Sequence, residues 1–215
     1  RISGGGRCNF TNINTRPENF FSTNPDFCRS ALARYTPRDF IALVEKHSIA
    51  WHEKKLGQLF CDGSAQQIID MLKTECDNAN VQWCMPAKVT SIEKRERFLI
   101  ATNRGTFEST SLVIASGGLS IPQIGASAFG YRIAEQFALE VTELRPALVG
   151  VPSAPEAPAP FADLSGISVD AVVSCNGASF RENLLVTHRG LSGPAILQIS
   201  SNWRPGLDLS VNLLP

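Results

Sequence analysis

The chain has 215 residues, with twenty basic and twenty acidic side chains and hence no formal net charge. A hydrophobic fraction of 43% and a charged fraction of 19% are typical of a globular protein with a sizeable core. The charge balance argues against a general attraction to nucleic acid or to an anionic membrane, and no apolar run is long enough to span a bilayer. Six scattered cysteines without a CxxC pair indicate free thiols rather than a zinc site or a disulfide framework.

The first half of the chain contains clear helix starts. Residues 1–16 are rich in Gly and Asn without periodicity, which predicts a loop. Asn24 before Pro25 can cap one helix, and Thr36-Pro37-Arg38-Asp39 has the pattern of a cap, a first-turn proline and a capping-box acid. Short strands are predicted at 49–53 and 58–60. Ser64 then caps a helix whose expected apolar stripe is Ile68, Ile69, Leu72 and Cys76.

Residues 81–115 are predicted to be mainly strands. A meander is expected over 81–84, 87–94 and 97–102, with a turn at 103–105. The apolar run 111–115 precedes Ser-Gly-Gly, a pattern typical of a parallel strand covered on both faces. A helix follows at about 129–139.

Composition changes near Pro146. The stretch 152–160 holds four prolines and suits a stiff connection. Beyond it we predict strands at 166–175, 178–187 and 207–213, with a short helix at 195–200. The predicted domains are therefore 1–147 and the start of a β-rich domain at 148–215.

The densest motif is Ser3-Gly4-Gly5-Gly6-Arg7-Cys8-Asn9. Its glycines permit backbone conformations closed to other residues and a close approach of main-chain N–H groups to a ligand, while Arg7 adds a cation. This combination suits a pyrophosphate or a flavin edge, with a terminal loop without a ligand as the alternative. The ATP-pyrophosphatase loop also begins Ser-Gly-Gly but then needs Asp and Ser, so Arg7 and Cys8 exclude it.

Two further motifs are less specific. Ala115-Ser116-Gly117-Gly118 would place backbone amides at the carboxyl edge of a parallel sheet, where α/β folds bind ligands, although an ordinary turn has the same pattern. The 187–195 stretch (Thr-His-Arg-Gly-Leu-Ser-Gly-Pro-Ala) describes a shaped turn into a short helix, with a structural or a substrate-binding role. His188 is a candidate proton donor, but a lone histidine beside an arginine is more often structural.

These motifs together resemble the BaiN-like family of NAD(P)/FAD-dependent oxidoreductases, within the glutathione-reductase-type flavoproteins. The resemblance covers nearly the whole chain in the right order. The matching stretches are Ile2–Asn12 (I-S-G-G-G-R-C-N-x-T-N), Gly57–Phe60, Ala115–Gly125 (A-S-G-G-x-S-x-P-x-x-G), Gly130-Tyr131, Pro146–Val149 and Thr187–Ala195.

The resemblance implies a Rossmann-like FAD-binding domain of the α/β class, followed by the beginning of an inserted β-rich domain. It also implies the cofactor contacts. The glycine loop would lie along the flavin and pyrophosphate, the second loop would approach the pyrophosphate, and main chain near one strand would meet the adenine. The residues of the glycine loop are Ser3, Gly4, Gly5, Gly6, Arg7, Cys8, Asn9, Thr11 and Asn12. Those of the second loop are Ala115, Ser116, Gly117 and Gly118. The residue whose strand would meet the adenine is Val89. No catalytic residue and no metal ligand is assigned.

The sequence departs from the family pattern in three places. Residues 125–131 (Gly-Ala-Ser-Ala-Phe-Gly-Tyr) lack the glycine and the acid of the usual G-S-T-G-D-G-Y, Leu139-Glu140 replaces a Gly-His pair, and Gln58 replaces a frequent Arg. The family also has a G-x-G-x-x-G unit that is expected before Arg1 and a Gly-rich closing segment that is expected after Pro215. We therefore expect an incomplete flavin domain that is inactive by itself.

The family implies an enzyme that transfers hydride between NAD(P)H and an organic acceptor through FAD, and reduction of a conjugated C=C bond is the main hypothesis. The expected partner is a small-molecule substrate in the cytoplasm, with no nucleic acid and no membrane. Two alternatives stay open. One is an RNA-modifying flavoprotein, which the neutral charge disfavours, and the other is a non-catalytic, flavin-free fragment.

Overall fold

The computed structural model describes residues 3–153 and 161–215, which form two compact units divided at 115/116. The predicted boundary at 147/148 differs from this division by contacts and stays a prediction. Most of the proline-rich stretch lies outside the described residues. Within them, no helix is long and apolar enough to cross a membrane. All six cysteines are free thiols, as predicted.

The first unit is built around a small antiparallel sheet and two helices. Its strands are β1 (Asn9–Asn12), β2 (Trp51–Glu53) and β3 (Gln58–Cys61), in the order β1-β3-β2. The helices are α2 (Pro37–Lys46) and α3 (Ala65–Asn78), and a short helix α1 (Arg29–Arg34) precedes them. The buried residues of this core come from both helices, from the sheet and from the loop before β2: Val44, Ile49, Cys61, Ile68 and Met71.

Two of the predicted helix caps are confirmed. The Thr36 side chain accepts a hydrogen bond from the Asp39 N–H, and the Asp39 carboxylate accepts one from the Thr36 N–H, which completes a capping box. Ser64 caps α3 in the same way with Gln67. These caps satisfy N–H groups that have no partner within the helix, and they fix where α2 and α3 begin.

Three local predictions in the first unit are wrong. Asn24 begins a turn, in which its carbonyl accepts from Phe27 N–H at 3.2 Å, and the helix starts only at Arg29. Residues 9–12 form β1 although only one of the four is apolar, because pairing with β3 stabilises them. In α3 the buried positions include Met71 whereas Leu72 is exposed, so the buried face is rotated from the predicted stripe.

A three-stranded meander completes the first unit. Its strands β4 (Val89–Lys94), β5 (Phe98–Thr102) and β6 (Gly105–Ser109) pair antiparallel in sequence order. The predicted turn at 103–105 joins β5 to β6. Residues 81–84 are not a strand; Trp83 instead donates its indole N–H to Asp77 at 3.0 Å, which holds this segment against the end of α3.

The second unit contains helix α4 (Phe129–Gln136) and a five-stranded antiparallel sheet. The strand order is β11-β8-β9-β10-β7, with β7 at Val151–Pro152, β8 at Ser168–Cys175, β9 at Ala178–Thr187, β10 at Gly190–Ser192 and β11 at Ser210–Asn212. Helix α5 (Pro194–Ile199) packs on this sheet and contributes three residues to its core: Ala195, Ile196 and Ile199. The β-rich character predicted beyond residue 148 is therefore present.

The predicted parallel strand at 111–115 is not formed. These residues have no strand partner within the described chain, and Val113 is 84% exposed. A parallel strand exists only when neighbouring strands satisfy its N–H and C=O groups. All pairs between the named strands in the described residues are antiparallel.

Candidate cofactor site

The glycine loop at the start of the chain has a specific backbone conformation. Ser3–Gly6 form one turn of 3-10 helix, and Gly5, Gly6 and Cys8 all have positive φ, at 65°, 88° and 53°. Left-handed residues in quick succession turn the backbone sharply and are typical of loops that present N–H groups to an anion. A Cβ on Gly5 would meet no atom within 4 Å, so there is room beside this residue for a ligand.

The carboxyl end of the loop is anchored in the first unit. The Arg7 carbonyl accepts a hydrogen bond from the Cys61 N–H at 3.0 Å, while the Arg7 side chain is exposed. Cys8 is half-buried and packs against the core that contains Cys61. Burial raises the pKa of the Cys61 thiol, and the neighbouring Cys8 and Asp62 raise it further, so Cys61 stays a neutral core side chain.

A second anchor joins β1 to the loop before β3. The Asn12 side-chain N–H donates to the Leu56 carbonyl at 3.0 Å, and its Oδ1 accepts from the Asn14 N–H at 2.8 Å. Gly57 lies so close that a Cβ there would stand 2.5 Å from Asn14 Nδ2 and 2.8 Å from Ile13. Residues 9–12 of the first motif therefore pack against the Gly57–Phe60 motif, and the Asn12 side chain is engaged in this contact.

One face of the small sheet carries a row of polar side chains beside the glycine loop. Asn9 and His52 both stand opposite Phe60 in the strand register, so the three share a face. His52 Nδ1 lies 2.6 Å from Asp62 Oδ1, and its ring stacks on Phe60. The Lys54 ammonium lies 4.1 Å from the centre of the Phe60 ring.

This row was not found from the sequence, where His52 has no evident partner. The contact with Asp62, ten positions later, arises from the β2–β3 register. With Nδ1 held by Asp62, the other ring nitrogen is left for a further hydrogen bond, so the row adds a polar group to the face that Asn9 occupies.

The other predicted loop belongs to the second unit, except for Ala115. Gly117 has a φ of 74°, and a Cβ there would meet no atom within 4 Å. Among the described residues, the N–H groups of Ser116, Gly117 and Gly118 have no hydrogen-bond acceptor. A Cβ on Gly118 would lie 2.8 Å from Tyr131 Oη, which brings together two motif residues. Three consecutive free N–H groups suit the oxygens of a phosphate.

Val89 and the 187–195 turn lie in ordinary β-structure. Val89 opens β4, and just before it Lys88 exchanges two hydrogen bonds with Asn103, at 2.7 and 3.1 Å. The 187–195 stretch forms the β9–β10 connection and the start of α5, where the Thr187 hydroxyl donates to the Gly190 carbonyl at 2.8 Å. The described residues contain no cluster of acidic, His or Cys side chains that could hold a metal ion.

The family is settled by comparison with known proteins. Residues 1–196 match the family model described as the HI0933-like protein Rossmann domain. The chain belongs to this family. The match confirms the predicted Rossmann-like FAD-binding fold. It does not confirm the narrower BaiN-like resemblance, because the two curated relatives described next carry a different name.

Two curated relatives match along the whole chain. A protein of Escherichia coli (strain K12) named ribosomal RNA dihydrouridine synthase is 56% identical over 216 residues, which cover 100% of this chain and 54% of that protein. A protein of the same name from Haemophilus influenzae is 46% identical over 220 residues, which cover 100% of this chain and 55% of that protein. The chain therefore spans about half the length of the curated relatives it matches.

These names correct one prediction. We expected a partner that is not a nucleic acid, whereas both relatives are named for ribosomal RNA, so that expectation is wrong. Its physical basis was weak because net charge is a sum over all residues. A neutral total is compatible with a basic surface in one part of the chain and an acidic surface in another.

Proposed function

We propose that the full-length protein is a flavoenzyme that uses NAD(P)H to reduce uridine in ribosomal RNA to dihydrouridine. The observation that carries this proposal is the 56% identity, over the whole of this chain, to a protein named for that activity. The Ile2–Asn12 and Gly57–Phe60 motifs and the Ala115–Gly118 loop support it, since they are the parts of the resemblance that would meet FAD. A cytoplasmic location follows from the proposed substrate.

The reaction fits the predicted class of chemistry. The C5=C6 bond of uracil is conjugated with the C4 carbonyl, so hydride adds at C6 and a proton is taken up at C5. The balance is uridine, NAD(P)H and one proton on one side, with dihydrouridine and NAD(P)⁺ on the other. When bound, the flavin supplies the hydride. The expected reduction of a conjugated C=C bond and the RNA-modifying alternative thus become a single proposal.

We assign cofactor binding to the predicted residues according to what each offers. Gly5 and Gly6 give the left-handed turn, and the exposed Arg7 gives a cation for a phosphate. In the second unit, Ser116–Gly118 offer free N–H groups. Asn9 places a polar side chain on the sheet face that carries His52. Asn12 has a structural role, because its side chain donates a hydrogen bond to the Leu56 carbonyl.

The experiment is a reconstitution with purified full-length protein. Unmodified ribosomal RNA is incubated with the protein, FAD and either NADH or NADPH, and the RNA is digested and analysed by mass spectrometry. We expect a uridine-containing fragment to gain the mass of two hydrogen atoms only when protein and reduced nicotinamide are both present. If the mass of the RNA is unchanged although NAD(P)H visibly reduces the flavin, RNA is not the substrate. The proposal of an NAD(P)H-dependent oxidoreductase would then still stand.

A further inference from the structure

Segment 16–35, between β1 and α2, has its aromatic side chains in solvent. None of its residues is buried, and residues 18–27 are exposed without exception. Phe27 is 80% exposed, Phe21 60% and Tyr35 53%. Single exposed apolar residues are common on proteins, but several aromatic rings in one short segment indicate a surface that meets a partner.

The segment is held in shape by its own polar contacts. Arg29 bridges Asp26 at 2.6 Å and Glu18 at 3.2 Å, and the Cys28 sulfur lies 3.9 Å from the Pro17 carbonyl oxygen. The segment ends at Tyr35, whose ring makes an edge contact with Phe40 of α2 at 6.5 Å between centroids. The rings are therefore presented by an ordered loop rather than collapsed onto each other.

Residues 16–39 carry an excess of one positive charge, with four arginines against Glu18, Asp26 and Asp39. Arg29 pairs with both Glu18 and Asp26, and Asp39 accepts a hydrogen bond from the Thr36 hydroxyl. Within the described part of the chain, the exposed Arg16, Arg34 and Arg38 have no acidic partner. A purely apolar protein partner would leave these three cations unpaired, whereas an anionic partner would neutralise them.

Exposed aromatic rings among unpaired arginines are the combination that binds single-stranded nucleic acid, in which bases stack on the rings and phosphates pair with the guanidinium groups. We propose that segment 16–35, together with Arg38, binds unpaired nucleotides of ribosomal RNA next to the target uridine. This inference rests on the proposed function. A uridine must leave its base stack to reach a flavin, so its neighbours lose stacking partners that Phe21, Phe27 and Tyr35 can replace. The segment follows β1, and hence the glycine loop, directly in the chain.

The test measures binding of full-length, FAD-loaded protein to a ribosomal RNA fragment that contains the target site. The variant Phe21→Ala/Phe27→Ala is compared with Phe107→Ala, which removes a ring that is 44% exposed on β6 of the same unit. We expect the dissociation constant of the double variant to rise by about ten- to a hundredfold or more, since base stacking on an aromatic ring contributes that much. Phe107→Ala should bind as the unchanged protein does.

A second pair of variants tests the cations. Arg34→Gln/Arg38→Gln is compared with Arg95→Gln, because Arg95 is exposed but pairs with Glu93 at 2.9 Å. The slope of log affinity against log salt should fall by about 0.7 for each lost phosphate contact in the double variant. Arg95→Gln should leave the slope unchanged.

Flavin content and melting temperature are measured on every variant. Weaker RNA binding with both quantities unchanged supports the inference. Unchanged RNA affinity in both double variants overturns it. The inference is also overturned if a variant that binds RNA more weakly has a lower flavin content or a lower melting temperature. The rings would then pack against another part of the full-length protein. The unchanged protein is assayed in parallel: if it forms no dihydrouridine, the proposed function itself fails, whereas normal activity with unaffected variants rejects only this surface.

Discussion

At the scale of single residues, the two candidate phosphate loops can be tested with a matched pair of glycines. Gly117 and Gly177 have φ values of 74° and 78°, and a Cβ on either would meet nothing within 4 Å. Alanine should therefore cost both sites the same backbone strain, about 1 kcal/mol. Gly177 lies in the Asn176-Gly177 hairpin turn, where no ligand is expected.

The prediction is that Gly117→Ala weakens FAD binding by about a hundredfold in the full-length protein while Gly177→Ala does not. The added methyl group would keep phosphate oxygens from free N–H groups, at roughly 1–3 kcal/mol for each lost contact. FAD titration followed by flavin fluorescence measures the difference, with circular dichroism as the check on folding. Gly5→Ala against Gly105→Ala repeats the comparison in the first unit. Equal affinities within both pairs would mean that FAD does not lie along these loops.

Glu75 makes one part of the stability dependent on pH. Its carboxylate accepts hydrogen bonds from Lys46 at 2.8 Å and from the His47 ring at 2.6 Å, which joins α3 to the end of α2. These contacts hold the pKa of Glu75 below its ordinary 4.5, and the hydrogen bond from Lys46 has the largest effect. Because the folded pKa is the lower one, the contribution to stability is complete above the ordinary pKa and is lost as the pH falls through the folded value.

We therefore expect Glu75→Gln to lower the melting temperature at about pH 6 and to have a smaller effect at about pH 3, because the unchanged protein loses this contribution as the pH falls below 4.5. The control is Glu108→Gln, which alters an exposed acid on β6 that has no ion pair among the described residues. Scanning calorimetry at both pH values measures the shift. A difference between Glu75→Gln and the unchanged protein that does not shrink with falling pH would show that the Lys46 and His47 contacts do not carry it.

At the scale of elements, the Thr36 capping box sets the start of α2. Thr36→Ala removes the acceptor for the Asp39 N–H and one of the groups that lower the pKa of Asp39. We expect the free energy of unfolding to fall by about 1 kcal/mol, the usual effect of losing such a cap. Urea denaturation measures it. Thr110→Ala, in the loop after β6, should change it little, and an equal loss in both variants would assign the effect to threonine replacement in general.

Local signals predicted the elements that depend on local interactions. The caps at Thr36 and Ser64 and the turn at 103–105 need only neighbours in sequence, and each is present in the structure. Two elements that need distant partners were missed or misplaced. β1 exists because β3 pairs with it, and residues 111–115 have the composition of a buried strand without strand neighbours in the described chain.

The candidate site divides in the same way. The glycine motifs could be found in the sequence because they supply their own backbone conformation. The fit of Gly57 against Asn14 and the His52–Asp62 pair could not, because each depends on strand register and on segments that meet across the sheet. Cofactor binding by the predicted residues stays a prediction that the glycine variants test.

At the scale of the whole molecule, the neutral total hides an uneven charge distribution. Residues 1–115 carry fifteen basic and twelve acidic side chains, and residues 116–215 carry five and eight. The positive surplus lies in the unit that holds the glycine loop and segment 16–35. The total charge therefore could not show whether the first unit attracts RNA, because it sums this unit with the more acidic second unit.

Reduction of uridine in ribosomal RNA by the full-length protein is the proposal to be tested. The most direct measurement compares ribosomal RNA from cells with and without the intact gene by mass spectrometry of nuclease fragments. We expect a fragment from cells lacking the gene to be lighter by the mass of two hydrogen atoms, and the unchanged gene to restore the heavier form. Identical fragment masses in all strains, across complete coverage of the ribosomal RNA, would contradict it.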